Sequence, residues 1–515
     1  MTDTAVRTPA ADQAPDVAGS QESATREILN PSTGLVIQTV PEHSAADVDR
    51  AVATAVEAFE NGPWPALHAS ERSRILLRIA DEIEASTEEL YRLEALNNGR
   101  PVTETRAQLS RVPEWFRYNA GLLAAQRTAV LPSDGPYLTY QRRAPLGVCG
   151  IITPFNHPML ILARSLSAAL ANGNVVVVKP SELTPLTTLA LLPILAKAGV
   201  PDGVVQVVTG AAEAGRRLTE HPDIAKITLT GGTETGRSAA VATARRFARM
   251  TAELGGKTPV IVFDDVEAKE AAEGAAFSAF VAAGQSCVAG SRFLVQRGIY
   301  DEFVEHLTAR AKAIRVGDPT HPETQMGPLI SARQRDKVSA LVESGREEGA
   351  TVTAGGGVPE FGSDAATGTP DAAGSDALRG GYFYEPTVLA DASMDMRVAR
   401  EEIFGPVAVV IPFDDEEHGI AMANDNPYGL GAGVWTRDVA RAHRVADRIK
   451  AGMVWINDHH RLEPSLPWGG IKESGIGKDA GVESFDEFSW LKTVVTRIAP
   501  DSVDWYGGAG TERLN

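Results

Sequence analysis

The sequence predicts an α/β protein built on doubly wound, largely parallel sheets. Three observations carry this expectation. From Gly147 onward, short apolar runs alternate with segments of helical spacing. Val175–Val178 is an unbroken run of valine, the mark of a parallel strand buried on both faces. After Glu253–Gly256 a second alternating series begins, so the pattern occurs twice in one chain.

In chain order, residues 1–26 lack the basic start and apolar core of a secretory signal and read as a disordered tail. Ser44 and Asp47 form a capping-box pattern ahead of Val48, Val52, Ala55 and Phe59, which recur at helical spacing. A second helix is predicted after Ser70 from Leu76, Ile79 and Ile83, and a third from about Pro101 to Ala125. Gly147–Ile152 reads as a buried strand and Pro158–Ala171 as a helix, with Pro158 in its first turn. Helices over Thr184–Ala198 and Ala211–Glu220 flank a strand at Val204–Val208. A strand at Ile227–Leu229 then leads into Gly231 and Gly232, which open a helix running toward Arg249. The second series has strands at Pro259–Phe263 and Phe293–Val295. Gly355–Gly381, rich in Gly, Ala, Asp and Ser, interrupts it as a mobile surface loop.

Bulk properties narrow the function. A chain of 515 residues exceeds one ordinary core and asks for two or three domains. A net charge of −18 repels phosphate backbones, so nucleic-acid binding is not expected, although a local basic pocket can still hold a small anion. No apolar run approaches the roughly 18 residues of a membrane span, so no membrane partner is expected. Two cysteines exclude a disulfide framework and fit a reducing cytoplasm. The histidines show no HExxH spacing, and the adjacent His459 and His460 cannot share a helical face, so no metal site is expected.

The two cysteines sit in different company. Cys149 lies among apolar neighbours in GVCGII and reads as a buried structural thiol. Cys287, in GQSCVAGSR, has small and flexible neighbours that make a poor core strand and suit an accessible nucleophile. Gly284–Cys287 resembles the nucleophile motif of the aldehyde dehydrogenase superfamily. Glu253-Leu254-Gly255-Gly256-Lys257 begins 34 residues upstream and is similar to that family's general-base motif. The likeness continues in order through TPFNHP (Thr153–Pro158), VVVVKPSE (Val175–Glu182), TGGTETG (Thr230–Gly236), EEIFGPV (Glu401–Val407) and PWGGIKESGIG (Pro467–Gly477). It covers the chain from about Asn30 to Val495.

The resemblance implies a Rossmann-like nucleotide-binding domain (27–127 and 146–254) and an α/β catalytic domain (255–470). A small β oligomerisation arm (128–145 and 483–500) and a C-terminal tail (501–515) complete the chain. The arm strands, Thr128–Ala144 and Trp490–Ile498, would build a homodimer or homotetramer. The implied reaction is oxidation of an aldehyde to a carboxylic acid with NAD, and with NADP as a further possibility. An aldehyde carbon must become tetrahedral before it releases hydride. A thiol of ordinary pKa near 8.5 already supplies some thiolate at neutral pH for that attack. Cys287 would attack, Asn156 and the Cys287 backbone N–H would hold the oxyanion, and Glu253 would activate the water that hydrolyses the thioester.

By the same resemblance, Lys179, also counted among the catalytic residues, and Glu182 grip the adenosine ribose. Ile152, Thr153, Pro154, Phe155, Ser181, Thr233 and Leu254 line the cofactor site. Gly231 and Gly232 receive the pyrophosphate at a helix N-terminus, and Glu402 and Phe404 meet the nicotinamide ribose and ring. Gly232 departs from the serine of many members, which removes one hydrogen bond to phosphate. The Glu182 carboxylate favours NAD over NADP, softened by Lys179 and Ser181. Arg164, eight residues after Asn156, and Arg461 suggest a clamp for an anionic or polar aldehyde. Val281 departs from the arginine that semialdehyde enzymes carry there, and Glu463 is a rival partner for either arginine. Alternatives are a CoA-acylating aldehyde dehydrogenase, against which Glu253 argues, and a non-catalytic binding or structural homologue.

Overall fold

The computed structural model describes residues 24–361, 375–499 and 506. The centre of the Gly355–Gly381 segment and nearly all of the C-terminal tail therefore lie outside the described residues. Of the tail expected over 1–26, residues 1–23 lie outside the described residues, and Thr25 and Arg26 instead begin a strand. That strand, β1 (Thr25–Leu29), pairs antiparallel with β2 (Val36–Pro41).

Helix α1 (Ala45–Glu60) begins at the predicted capping box, with Ser44 accepting from the Asp47 backbone and Asp47 from the Ser44 backbone. It buries Val48, Val52 and Ala55. Helix α2 (Ala69–Ala85) follows as predicted. Helix α3 (Thr87–Asn98) has no counterpart in the sequence expectation; it ends on Gly99 in the left-handed conformation. The single helix predicted over 101–125 is two, α4 (Val102–Leu109) and α5 (Val112–Ala125). Pro113 explains the break. Its ring and missing N–H are tolerated only in a first turn, so the chain restarts there.

Strands β3 (Val130–Leu131) and β4 (Tyr137–Pro145) leave this helical layer and pair later with β18 (Ser489–Arg497) in a three-stranded antiparallel arm. The first parallel series then follows: β5 (Val148–Ile152), α6 (Pro158–Ala171), β6 (Val175–Lys179), α7 (Leu186–Ala198), β7 (Val205–Val207), α8 (Ala212–Glu220), β8 (Ile224–Thr230) and α9 (Thr233–Ala244). Strand β6 is buried throughout, as the valine run predicts. Helix α9 stops short of Arg249, because the chain turns into β9 (Arg249–Glu253), a strand absent from the sequence reading.

The first sheet has the order β17-β9-β8-β5-β6-β7, with β17 being Gly475–Ile476. All pairings are parallel except β17 on β9. The chain runs outward from β5 to β7, then returns to lay β8 on the other side of β5. The carboxyl ends of β5 and β8 thus form a topological switch point, where open α/β sheets bind ligands.

The second series contributes β10 (Thr258–Val262), α10 (Ala268–Phe280), β11 (Gly290–Gln296), α11 (Tyr300–Lys312), α12 (Ala332–Glu347), β12 (Thr351–Ala354), β13 (Thr387–Ala390), β14 (Val407–Phe413), β15 (Gly431–Trp435) and β16 (Met453–Ile456). They form a seven-stranded sheet, β12-β13-β14-β11-β10-β15-β16, in which only β12 is antiparallel. Each sheet has its own apolar core. Among the described residues no helix is long and apolar enough to cross a membrane.

Candidate active site

Cys287 sits between the two sheets because the chain is forced there. Helix α10 ends at Phe280, and the next turn is left-handed, with Ala282 at φ 54°, Ala283 at φ 53° and Gly284 at φ 68°. Such conformations cost L-residues with a side chain on the order of 1 kcal/mol each and mark functional turns. Gly284 is obligatory, since a Cβ there would stand 2.1 Å from the Gly405 carbonyl oxygen. Gln285 pins the loop: its side chain donates to Ala282 O at 3.3 Å and accepts from Ile330 N at 3.0 Å. The general-base motif has a comparable reason for its glycine. A Cβ on Gly256 would lie 2.2 Å from the Cys287 carbonyl oxygen, so only glycine lets the β9–β10 link pass the nucleophile.

Glu253, the last residue of β9, and Cys287 open into one cavity of about 650 Å³. Asn156, His157, Arg164, Trp115, Phe277, His459, His460, Arg461 and Trp468 also line it. The Asn156 side chain donates to Gln285 O at 2.7 Å and accepts from His157 N at 3.1 Å. An amide nitrogen has two hydrogens, so one is left for a further acceptor in the cavity that Asn156 and Cys287 both line. The segment after Trp468 closes over Glu253. Gly475 pairs with Glu253 across the β17–β9 ladder. A Cβ on Gly469 would stand 2.8 Å from a Glu253 oxygen. PWGGIKESGIG is thus the lid of the base.

Burial governs the electrostatics here. The Cys287 thiol is pushed up to about 12, chiefly by burial, with Arg164 opposing and Glu253 and Glu402 adding to the rise. The expectation of a thiol near its ordinary value is therefore corrected: its surroundings raise it above that value. Glu253 is held well above the usual carboxylate range, first by burial and next by Asp479. Neither of its oxygens has a hydrogen-bond partner. Arg164's field favours the charged form of both groups. Cys149 also rises to about 12 by burial, but it lies inside the first core.

The sequence paired Arg164 with substrate, whereas the fold pairs it with Asp479 at 3.1 Å, the two side chains being 4% and 1% exposed. Its guanidinium also lies 5.5 Å from the Trp468 ring centre. Arg461 pairs with Glu463, the rival named from the sequence. Asp479 went unnoticed, although it stands two residues beyond a recognised motif. Its importance comes from the bridge between Trp468 and Asp479, which folds the lid back onto α6.

A second cavity, of about 960 Å³, lies at the switch point. Ile152, Thr153, Pro154, Phe155, Lys179, Ser181, Glu182, Gly231 and Gly232 line it together. Thr230 is a wall of both cavities. Lys179 opens here and not onto Cys287; its Nζ donates to Pro180 O at 2.8 Å and stands 3.8 Å from Glu182. Burial lowers its pKa. Gly232 caps α9 without a side-chain hydrogen bond, and a Cβ on it would meet open space. A free helix N-terminus beside a lysine and a carboxylate suits a dinucleotide, phosphates at the helix and ribose hydroxyls at the side chains. Thr233 and Leu254 line neither cavity; Leu254 packs under Gly236 of α9. Glu402 accepts from Gly256 N at 2.9 Å, and its carboxyl is raised by burial. Phe404 packs edge-on against Phe155 at 5.7 Å. Both lie against Gly284 and Ser286, on the nucleophile's own loop.

A nucleophilic thiol, a buried carboxyl and an adjoining dinucleotide cleft define a thiol-dependent oxidoreductase. The model of the aldehyde dehydrogenase family matches residues 18–494. A betaine aldehyde dehydrogenase of Bacillus subtilis (strain 168) is 40% identical over 489 residues, covering 95% of this chain and 97% of that protein. The crystal structure of a Staphylococcus aureus betaine aldehyde dehydrogenase in complex with NAD+ aligns with a TM-score of 0.88 at 38% identity, covering 94% of this chain and 93% of the other. PnpE from Pseudomonas sp. WBC-3 aligns equally well, TM-score 0.88 at 41% identity, over 94% and 96% of the two chains. The chain belongs to the aldehyde dehydrogenase family, has its fold, and is an aldehyde-oxidising oxidoreductase.

Proposed function

We propose that this enzyme oxidises an aldehyde to the carboxylic acid with NAD, through a thioester on Cys287 that Glu253 helps to hydrolyse. The observation that carries this reading is the shared cavity: Cys287 and Glu253 face one space, and that space meets the dinucleotide cleft at Thr230. The bound nicotinamide would supply the hydride acceptor. The chain's own residues do the rest. Cys287 Sγ loses its proton to solvent water and bonds to the aldehyde carbon, while the carbonyl electron pair moves onto oxygen. The free hydrogen of Asn156 Nδ2 and the Cys287 N–H stabilise the oxygen as it gains charge; one such donor contributes roughly 3 kcal/mol. Glu253, once ionised, removes a proton from water, which displaces Cys287 and releases the acid. Glu402 and Phe404 position the nicotinamide end, and Lys179 and Glu182 the adenosine ribose.

Betaine aldehyde, a cation, fits this cavity less well than a neutral aldehyde. The Trp468 face already carries the Arg164 guanidinium, and cations at one aromatic face exclude each other. An anionic aldehyde would have to draw Arg164 or Arg461 from its carboxylate. The exposed Arg461–Glu463 pair is the cheaper to open.

The experiment is an aldehyde panel of succinate semialdehyde, an aliphatic aldehyde, benzaldehyde and betaine aldehyde. Absorbance of the reduced cofactor is followed for the wild type and Cys287→Ala. Turnover by the wild type and its loss in the variant is the expected result. Residual turnover by the variant above a trace overturns the assignment, and stimulation by CoA would favour the acyl-CoA-forming reading.

The arm supports a homodimer or homotetramer, since Leu138, Trp490, Leu491 and Val495 are exposed on it. Light scattering that finds a monomer would overturn this part. Both cysteines are free thiols, which suits a cytoplasmic setting.

A further inference from the structure

Asn156 precedes α6 and the Cys287 turn follows α10, yet a closed ring of hydrogen bonds joins them through the turn between α3 and α4. Glu104, in the first turn of α4, accepts from Ala282 N with both carboxylate oxygens, at 3.1 and 3.2 Å. Ala282 has left the α10 ladder, which ends with Val281 N donating to Phe277 O. The Ala282 carbonyl accepts from Gln285 N at 3.0 Å, and the Gln285 carbonyl from the Asn156 side chain at 2.7 Å. The Asn156 carbonyl accepts in turn from Asn98 Nδ2 at 3.2 Å. Asn98 Oδ1 accepts from Arg100 N at 3.0 Å, and Arg100 Nε donates to Glu104 Oε2 at 3.3 Å, which closes the ring. Arg100 is buried and is steadied further by Gln108 at 2.8 Å and Glu94 at 3.5 Å. Burial raises the Glu104 carboxyl, and Arg100 and the Ala282 N–H oppose that rise. A left-handed alanine is strained. The group that holds Ala282 therefore fixes the path of the chain five residues before Cys287.

We propose that Glu104 is a positioning residue for the oxyanion: by holding Ala282 it sets where the Cys287 backbone N–H stands relative to the Asn156 amide. This rests on the reading of Cys287 as nucleophile and Asn156 as oxyanion donor. Two donors stabilise one oxygen only if both reach it together, and a displacement of about 1 Å costs up to roughly 10²-fold in rate. Arg100 and Glu104 also border the cavity, so the test must not depend on how an aldehyde binds.

Two reactions of Cys287 are compared in the intact enzyme, without cofactor or aldehyde. With p-nitrophenyl acetate, Sγ bonds to the acetyl carbon, the carbonyl oxygen gains charge in a tetrahedral intermediate, and p-nitrophenolate leaves. With iodoacetamide, Sγ bonds to a saturated carbon as iodide leaves, and no oxyanion forms. A general loss of structure or of thiol reactivity slows both, whereas a displaced oxyanion site slows only the acylation. The ratio of acylation to alkylation rates is expected to fall about tenfold in Glu104→Ala. It should stay near the wild-type value in Glu104→Gln, which keeps an acceptor for Ala282. Asn156→Ala should lower the ratio too, and the double variant by less than the product of the two single effects. An unchanged ratio in Glu104→Ala, an equal fall of both rates, an equal loss in Glu104→Gln, or a double variant that multiplies the single effects overturns the proposal. Should Glu104→Ala not fold, Asn98→Ala opens the ring on its opposite side and carries the same expectation. If Cys287→Ala reacts with both reagents as the wild type does, the nucleophile reading fails; if Cys287 reacts and the ratio does not move, only the positioning role does.

Discussion

The two cavities that meet at Thr230 handle charge in opposite ways. Around Cys287, Arg164 and Asp479 form a buried, matched pair, and burial raises the pKa of the Glu253 carboxyl and the Cys287 thiol. Around Lys179 and Glu182 the pairing is looser, at 3.8 Å, and Glu182 stands more open. A site that makes and breaks bonds to carbon needs charge that develops during reaction, and burial favours the neutral forms of its reacting groups at rest. A site that captures a highly charged ligand needs charge already present. This contrast explains why a chain of net charge −18 can hold a dinucleotide.

The sharpest way to break the contrast is to remove the base. In Glu253→Gln, steady-state turnover should fall roughly 10²- to 10⁴-fold, while a first burst of reduced cofactor persists. Stopped-flow absorbance separates the two phases. If burst and steady state fall together, Glu253 serves thiol attack rather than hydrolysis, and the role assigned here is wrong.

The resting state of the thiol gives the next largest effect. Because the Cys287 pKa is raised to about 12, the neutral thiol dominates at pH 7 and the thiolate fraction grows as pH rises toward that value. Iodoacetamide labelling of the ligand-free enzyme should therefore accelerate about tenfold per unit between pH 7 and 10. Peptide mass spectrometry would find it at Cys287 and not at Cys149, which shares the raised pKa but lies 1% exposed in the core. A labelling rate that levels off below pH 9 would mean that the site stabilises thiolate, against the burial argument.

The smallest effect is the control. Cys149→Ala should leave activity at wild-type level and cost on the order of 1 kcal/mol in stability, the price of a small cavity beside β5. Denaturant midpoints measure it. A kinetic defect without a stability change would show that the core thiol reaches the active site.

How much of this was legible beforehand depended on whether the signal was local. The valine run, the capping box and Pro158 each specify their element through nearby atoms, and β6, α1 and α6 form where these predict. Helix α3 and strand β9 were hidden. In α3 the buried set includes Glu94, Asn97 and Asn98, so no apolar stripe announces it. In β9, Arg249 and Thr251 interrupt the apolar pattern, and both are satisfied only by distant residues: Arg249 by the Ser489 carbonyl at 2.9 Å and Thr251 by Glu487 at 2.6 Å.

The same division holds at the site. The sequence by itself determined the fold class, because backbone periodicity is written in neighbouring residues, and it pointed to Cys287 and Glu253 through motifs whose order and spacing resemble one family's. Only the tertiary structure decided the raised pKa of Cys287 and the pairing of Arg164 with Asp479. Burial and ion pairing are set by groups far apart in the chain. Arg164 and Asp479 are 315 residues apart in sequence and 3.1 Å apart in space. Desolvation, the largest influence on both Cys287 and Glu253, arises only once two sheets and a lid have come together around them.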